Sequence, residues 1–182
     1  MNKDLMHTIF SEETINKRVK ELAEKITRDY AGETLMIVGV LKGSFIFLSD
    51  LARGIDLDCE IRFLSASSYG YRSTTSGEVS IKEPLDFDIA ETTGRHVLLV
   101  DDIIDTGITM LELQEFFKGF SPASFKTCVL LDKAERRTVP VDVEYIGFWC
   151  PNEFVVGYGL DYAERYRNLP YIGTLKPEVI AD

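Results

Sequence analysis

Apolar residues follow two alternating rhythms along this chain. Residues 35–40 (Leu-Met-Ile-Val-Gly-Val) and 97–100 (Val-Leu-Leu-Val) are apolar throughout, which suits strands buried on both faces of a parallel sheet. Residues 60–67, 125–131 and 143–149 predict further strands. Between them the period changes. Ile15, Val19, Leu22, Ile26 and Tyr30 recur at intervals of three and four after Ser11, and Gly32 closes that helix. Its outer face carries Lys17, Lys20, Glu21, Glu24 and Lys25, an ordinary solvated face. Phe45, Phe47, Leu48 and Leu51 predict a short helix ending at Gly54. Met110, Leu111, Leu113, Phe116 and Phe117 predict another, stopped by Gly119. Strands alternating with helices predict an α/β fold: a mainly parallel central sheet flanked by helices, with ligands at the C-terminal strand ends.

One stretch, Arg95 onwards, carries more chemistry than the rest: R-H-V-L-L-V-D-D-I-I-D-T-G-I-T. The apolar strand stops at Asp101 and Asp102, and Ile103 and Ile104 lead into Asp105, Thr106 and Gly107 before the helix begins. A strand, an acidic turn and a helix start aim the amides of residues 105–109 at one spot, which suits a phosphate. The aspartate pair suits a divalent cation or sugar hydroxyls. Helix capping explains Thr106 or Asp105, but not a third carboxylate within five residues. Lys42 and Gly43, at the end of one buried run and the start of a helix, form a second candidate anion site by the same logic.

At 182 residues the chain suits a single domain, 1–182, with one sizeable core. A formal net charge of −10 repels nucleic acid. Any anionic substrate must therefore be met by a few placed cations. Cys59, Cys128 and Cys150 lack metal-ligand spacing and read as reduced, mostly buried thiols of a cytoplasmic protein. The first residues do not pattern as a signal peptide, and the 35–41 run is too short to cross a membrane.

The run V-D-D-I-I-D-T-G-x-T resembles the ribosyl-phosphate signature of the type I phosphoribosyltransferases, above all their hypoxanthine-guanine branch. The resemblance implies that Asp105, Thr106, Gly107, Ile108 and Thr109 cradle the 5-phosphate. It further implies that Asp101 and Asp102 hold ribose hydroxyls with Mg²⁺, and that Asp105 is the acid/base for the purine. Ile108 departs from the family, which often carries Lys or another longer polar residue there; backbone amides do most of the binding in such a loop.

Further motifs match in order. The Leu41-Lys42-Gly43 loop resembles the family's pyrophosphate loop, which implies a non-proline cis bond between Leu41 and Lys42. Residues 68–78 are polar and rich in Ser, Thr and Gly, a composition that fits either a surface loop or a lid. The Ser68-Tyr69 pair resembles the family's catalytic lid. Lys133 past the 125–131 strand would ordinarily be solvated; the resemblance makes it a purine-reading lysine, with Ile103 also at the base. F-V-V-G-Y-G-L-D-Y followed by R-x-L-P resembles the C-terminal hood of residues 150–182. There Phe154 would stack on the base, the Val155 backbone would meet its edge, Asp161 would hold a second Mg²⁺ and Arg167 would reach pyrophosphate. For Phe154 alone, core packing is the ordinary reading, and for Asp161 a cap.

The implied reaction moves phosphoribose from phosphoribosyl pyrophosphate to N9 of hypoxanthine or guanine, releasing pyrophosphate, in a cytoplasmic homodimer or homotetramer that binds neither nucleic acid nor membrane. Two rivals share the fold. One is a regulator that senses phosphoribosyl pyrophosphate, for which this chain has neither basic charge nor spare length. The other is a sister enzyme preferring xanthine.

Overall fold

The computed structural model describes residues 3–67, 80–84 and 87–180, with the side chains of 66, 67 and 80–84 excepted. In chain order the elements are β1 (Leu5–Phe10), α1 (Glu12–Asp29), β2 (Leu35–Leu41), α2 (Phe45–Gly54), β3 (Cys59–Ser67), β4 (Ser80–Pro84) and β5 (His96–Ile104). Then come α3 (Ile108–Lys118), β6 (Ser124–Asp132), β7 (Tyr145–Trp149), β8 (Val155–Val156), β9 (Ile172–Leu175) and α4 (Pro177–Ile180).

Among the described residues the main sheet runs β4-β3-β2-β5-β6-β7. The strands from β3 to β7 pair in parallel and β4 adds an antiparallel edge. This is the expected α/β architecture. Its helices follow from the apolar periodicity. On α1, Ser11 caps the start, its hydroxyl accepting from the Thr14 amide at 3.2 Å. Ile15, Val19, Leu22 and Ile26 are buried as their spacing requires. With α2 they pack against Leu35, Ile37, Leu98 and Val100 on one sheet face. On the other face Met110, Leu113 and Phe117 of α3 meet Met36, Val38, Val97 and Leu99. Leu99 is fully buried in that second layer. Leu99→Ala should lower unfolding free energy by about 2–5 kcal/mol, through lost burial and the cavity left behind; urea denaturation reads it.

Three features depart from the sequence expectation. Gln114, on the inner side of α3, is buried: its amide donates to Thr127 Oγ1 at 3.1 Å and to the Asp142 carbonyl at 2.7 Å, which makes a polar residue compatible with the core. The last strand of the main sheet begins at Tyr145, two residues later than expected. Most consequential, β5 does not end at Val100. It continues through Asp101 and Asp102 to Ile104, because Asp101, Ile103 and Ile104 pair with Val129, Leu131 and Asp132 of β6. The acidic turn is therefore shorter than expected, and both aspartates project from a strand.

The N-terminal residues, which carried no pattern, form β1. It pairs antiparallel with β9, and β9 with β8, as a second small sheet beside the hood segment. No helix among the described residues is long and apolar enough to cross a membrane. The expected 68–78 lid, with Ser68 and Tyr69, lies outside the described residues.

Candidate active site

Strand order reverses between β2 and β5: β2 leads through α2 to β3 on one side, and β5 through α3 to β6 on the other. Parallel sheets open a crevice at such a point. The two strands pair only as far as Gly39 and Val100. Beyond that they part, and the next residues of each, Lys42-Gly43 and Asp101-Asp102, line the gap. The Leu41–Lys42 bond is cis, as the resemblance implied. Gly43 sits so near Asp102 that an added Cβ would fall 1.7 Å from Asp102 Oδ2. No other residue fits there without moving the carboxylate.

Asp101 Oδ1 accepts from the Asp102 amide at 2.9 Å. Burial, and then the charge of Asp102, push the Asp101 carboxyl well above the usual carboxylate range, and burial raises Asp102 too. A cation placed here would relieve that repulsion. Hard carboxylate oxygens suit Mg²⁺, which keeps several waters and takes one or two protein carboxylates. No cluster of three or more His, Cys, Asp or Glu residues that could hold a metal ion occurs among the described residues.

The turn after β5 places the next group. Gly107 precedes α3 with φ +89°, a conformation that side chains rarely adopt, and Val139 and Val141 crowd its α-carbon. That turn exposes the first amides of α3. The Ile108 amide lies 3.5 Å from Thr106 Oγ1, and the first intrahelical bond runs from the Leu111 amide to the Gly107 carbonyl at 2.9 Å. The Thr106 carbonyl is tied to the Thr138 amide at 2.9 Å. Ile108 points outward and Thr109 is half-buried, so the loop presents backbone and hydroxyls to solvent. Asp105 is half-exposed and its Oδ1 lies 2.5 Å from Arg136 Nε.

The residues expected at the base lie on β5, just past β6 and in the 150–182 segment. The Lys133 amide donates to the Ile104 carbonyl at 2.9 Å, which seats Lys133 beside the 105–107 turn. Lys133 is only 7% exposed, and its ammonium donates to the Glu153 carbonyl at 2.7 Å. The ordinary reading of a solvated lysine, which the resemblance had set aside, does not hold here. Phe154 follows Glu153 and is 45% exposed, so core packing does not explain it; it meets Tyr162 edge-on at 5.5 Å. Val155 is buried in β8, and Ile103 is partly buried against the core.

The hood's charged arm curls back to the β2 loop. Arg167 Nη2 lies 2.9 Å from Asp161 Oδ1, and its Nη1 donates to the Gly159 carbonyl at 2.8 Å. Asp161 also accepts from the Glu164 amide at 2.9 Å, the capping contact expected of an ordinary turn aspartate. Lys42 Nζ pairs with Glu164 at 3.1 Å.

Most expected site residues thus gather around one crevice. Sequence reasoning missed Glu164 and Arg136. Arg136 lies in the charged 135–137 stretch, which offered no periodicity or motif. Glu164 sits in a turn whose left-handed residues, Ala163 at φ +50° and Glu164 at φ +62°, fold back in a way no residue preference announces.

Comparison with known proteins agrees with this geometry. The phosphoribosyl transferase domain family matches residues 7–163. A hypoxanthine-guanine phosphoribosyltransferase of Streptococcus pneumoniae is 46% identical over 182 residues, covering all of this chain and 99% of that protein. A bifunctional TilS/HprT protein of Listeria innocua is also 46% identical over 182 residues, but the chain spans only 28% of its length. A crystal structure of a hypoxanthine phosphoribosyltransferase from Staphylococcus aureus superposes with a TM-score of 0.91 at 44% identity, covering 98% of this chain and 96% of that one. A matched family profile over most of the chain, joined to a glycine turn and an aspartate pair at the strand-order reversal, places this chain in the phosphoribosyl transferase family.

Proposed function

We propose that the protein salvages purines, transferring phosphoribose from phosphoribosyl pyrophosphate to N9 of hypoxanthine and guanine to give IMP, GMP and pyrophosphate. The observation that carries this reading is the pairing of a buried lysine, Lys133, and a half-exposed phenylalanine, Phe154, beside the 105–109 phosphate turn. In this reading the lysine supplies a donor for a 6-oxo group and the ring a stacking face.

In this reading each residue has a task. The amides of 106–109 and the hydroxyls of Thr106 and Thr109 bind the 5-phosphate. Asp101 and Asp102 bind the ribose hydroxyls, and with Asp161 they are the residues that would hold Mg²⁺. When bound, Mg²⁺ neutralises the leaving pyrophosphate. Lys42 and Arg167 add positive charge at the same end, where Gly43 lets the backbone approach. Phe154 stacks on the base and the Val155 backbone meets its edge. Asp105 faces N7 and manages the purine proton. Positive charge develops at the anomeric carbon as pyrophosphate departs, so water must be excluded; residues 68–78, with Ser68 and Tyr69, are assigned that closure. The assembly belongs to the same reading: a homodimer or homotetramer in the cytoplasm, which sedimentation tests.

The direct test is nucleotide formation from phosphoribosyl pyrophosphate, Mg²⁺ and hypoxanthine or guanine by the purified chain, followed by chromatography. Product with either base is expected, and none when Mg²⁺ is chelated. Binding of phosphoribosyl pyrophosphate without turnover of any base would instead favour the regulator. Within the same assay, Gly43→Ala should lower kcat/KM by about 10²-fold, because its methyl displaces the Asp102 carboxylate. Its thermal melt should stay close to that of the parent, since the change lies at a solvent-facing crevice.

A further inference from the structure

Lys42 and Arg167, the two cations assigned to pyrophosphate, share one partner that neither motif contains. Glu164 Oε2 lies 3.1 Å from Lys42 Nζ, and Glu164 Oε1 lies 3.2 Å from Arg167 Nη2. One carboxylate thus spends each oxygen on a different cation, across a sequence separation of 122 residues. Arg167 is further held by Asp161 and by the Gly159 carbonyl, whereas among the described residues Lys42 pairs with Glu164 alone. The side chains of Lys42 and Glu164 are 68% and 65% exposed, so water reaches this pair freely.

We propose that Glu164 is a resident counter-anion of the pyrophosphate site, bridging Lys42 and Arg167 in the free protein and exchanged for the substrate's pyrophosphate on binding. The inference rests on the proposed pyrophosphate role of those two cations. Three observations support it. A carboxylate with its two oxygens on two cations mimics a bridging phosphate. The pair is solvent-exposed, and pairs of that kind are weak enough to be displaced by a more highly charged anion. Finally, Glu164 is carried on a turn with two successive left-handed residues, apart from the strands that fix the rest of the site. A glutamate that blocked nothing and only positioned Arg167 would duplicate Asp161, which already holds that guanidinium.

The consequence is a residue that weakens substrate binding by its charge, and so also weakens retention of pyrophosphate after transfer. Removing the charge while keeping the shape should therefore tighten binding, the reverse of what loss of a supporting contact does. Titration calorimetry of the full chain with inorganic pyrophosphate, with and without Mg²⁺, reads this. Glu164→Gln is expected to bind about three- to ten-fold tighter than the parent. That gain should shrink in a Lys42→Met background, where the exchanged pair no longer exists. Unchanged or weaker binding by Glu164→Gln overturns the proposal. Parent binding that survives both Lys42→Met and Arg167→Met overturns the pyrophosphate assignment itself, and the exchange with it. Independently of any variant, a crystal of the parent protein soaked with pyrophosphate should show Lys42 and Glu164 separated beyond about 4 Å. A retained bridge beside bound pyrophosphate overturns the proposal.

Discussion

Adenine should be used at least about 10⁴-fold less efficiently than hypoxanthine or guanine, measured as kcat/KM with each base in turn. The reason is hydrogen-bond polarity. The Lys133 ammonium has only donors to offer. One is spent on the Glu153 carbonyl, and the side chain is too deeply set for water to serve the others once a base covers it. A 6-oxo purine brings an acceptor to that ammonium. Adenine brings an amino group, so two donors would face each other in a closed site, each stripped of water and neither satisfied. A site built around one polarity rejects the opposite partner far more strongly than it rejects a change of size. Xanthine keeps the 6-oxo group and should be used weakly. Adenine turnover at a rate comparable to hypoxanthine would remove Lys133 from the base site.

Asp105→Asn should lower turnover by roughly 10²–10⁴-fold while changing phosphoribosyl pyrophosphate binding far less. The amide keeps the size of the carboxylate but cannot take a proton from the purine. Asp105 opens the turn that seats Lys133, so in the proposed reading it meets the same base, and its ion-pair partner is Arg136. Losing the charge also leaves that guanidinium without its counter-ion, yet both groups are half-exposed and the pair adds little. The large effect expected is therefore chemical rather than structural. Single-turnover kinetics beside a binding titration separates the two, and a near-normal rate would move the proton transfer elsewhere.

The central strands and long helices were legible in the sequence because burial on two sheet faces, or along one helix stripe, writes a period that local composition reveals. Leu35 to Val40 and Ile15 to Ile26 are of that kind. The 105–107 turn was legible for another reason: the phosphate role proposed for Asp105-Thr106-Gly107 acts through its own backbone, so its signature is encoded where it stands. What stayed hidden was decided by neighbours. Asp101 and Asp102 look like a strand end, since carboxylates rarely continue a buried run; pairing with β6 on one side alone lets them do so. Lys133 looks solvated until the Glu153 carbonyl covers it. Glu164 and Arg136 gain meaning only through partners brought by the fold. β1 is short and mixed in character, and β9, which pairs with it, lies at the far end of the chain.

That last pairing has a bearing on the order in which the molecule can be completed during synthesis. The crevice between β2 and β5 is made by strands joined through one helix or a few turns, and every strand of the main sheet has been made once residue 149 has emerged. The small sheet cannot close until β9 appears, because His7 of β1 and Thr174 of β9, whose side chains meet at 3.2 Å, stand 167 residues apart. Domains fold as their segments leave the ribosome. The earliest strand made must therefore wait for one of the last. A nascent chain halted before residue 172 would present a complete main sheet beside a small sheet that still lacked its middle strand.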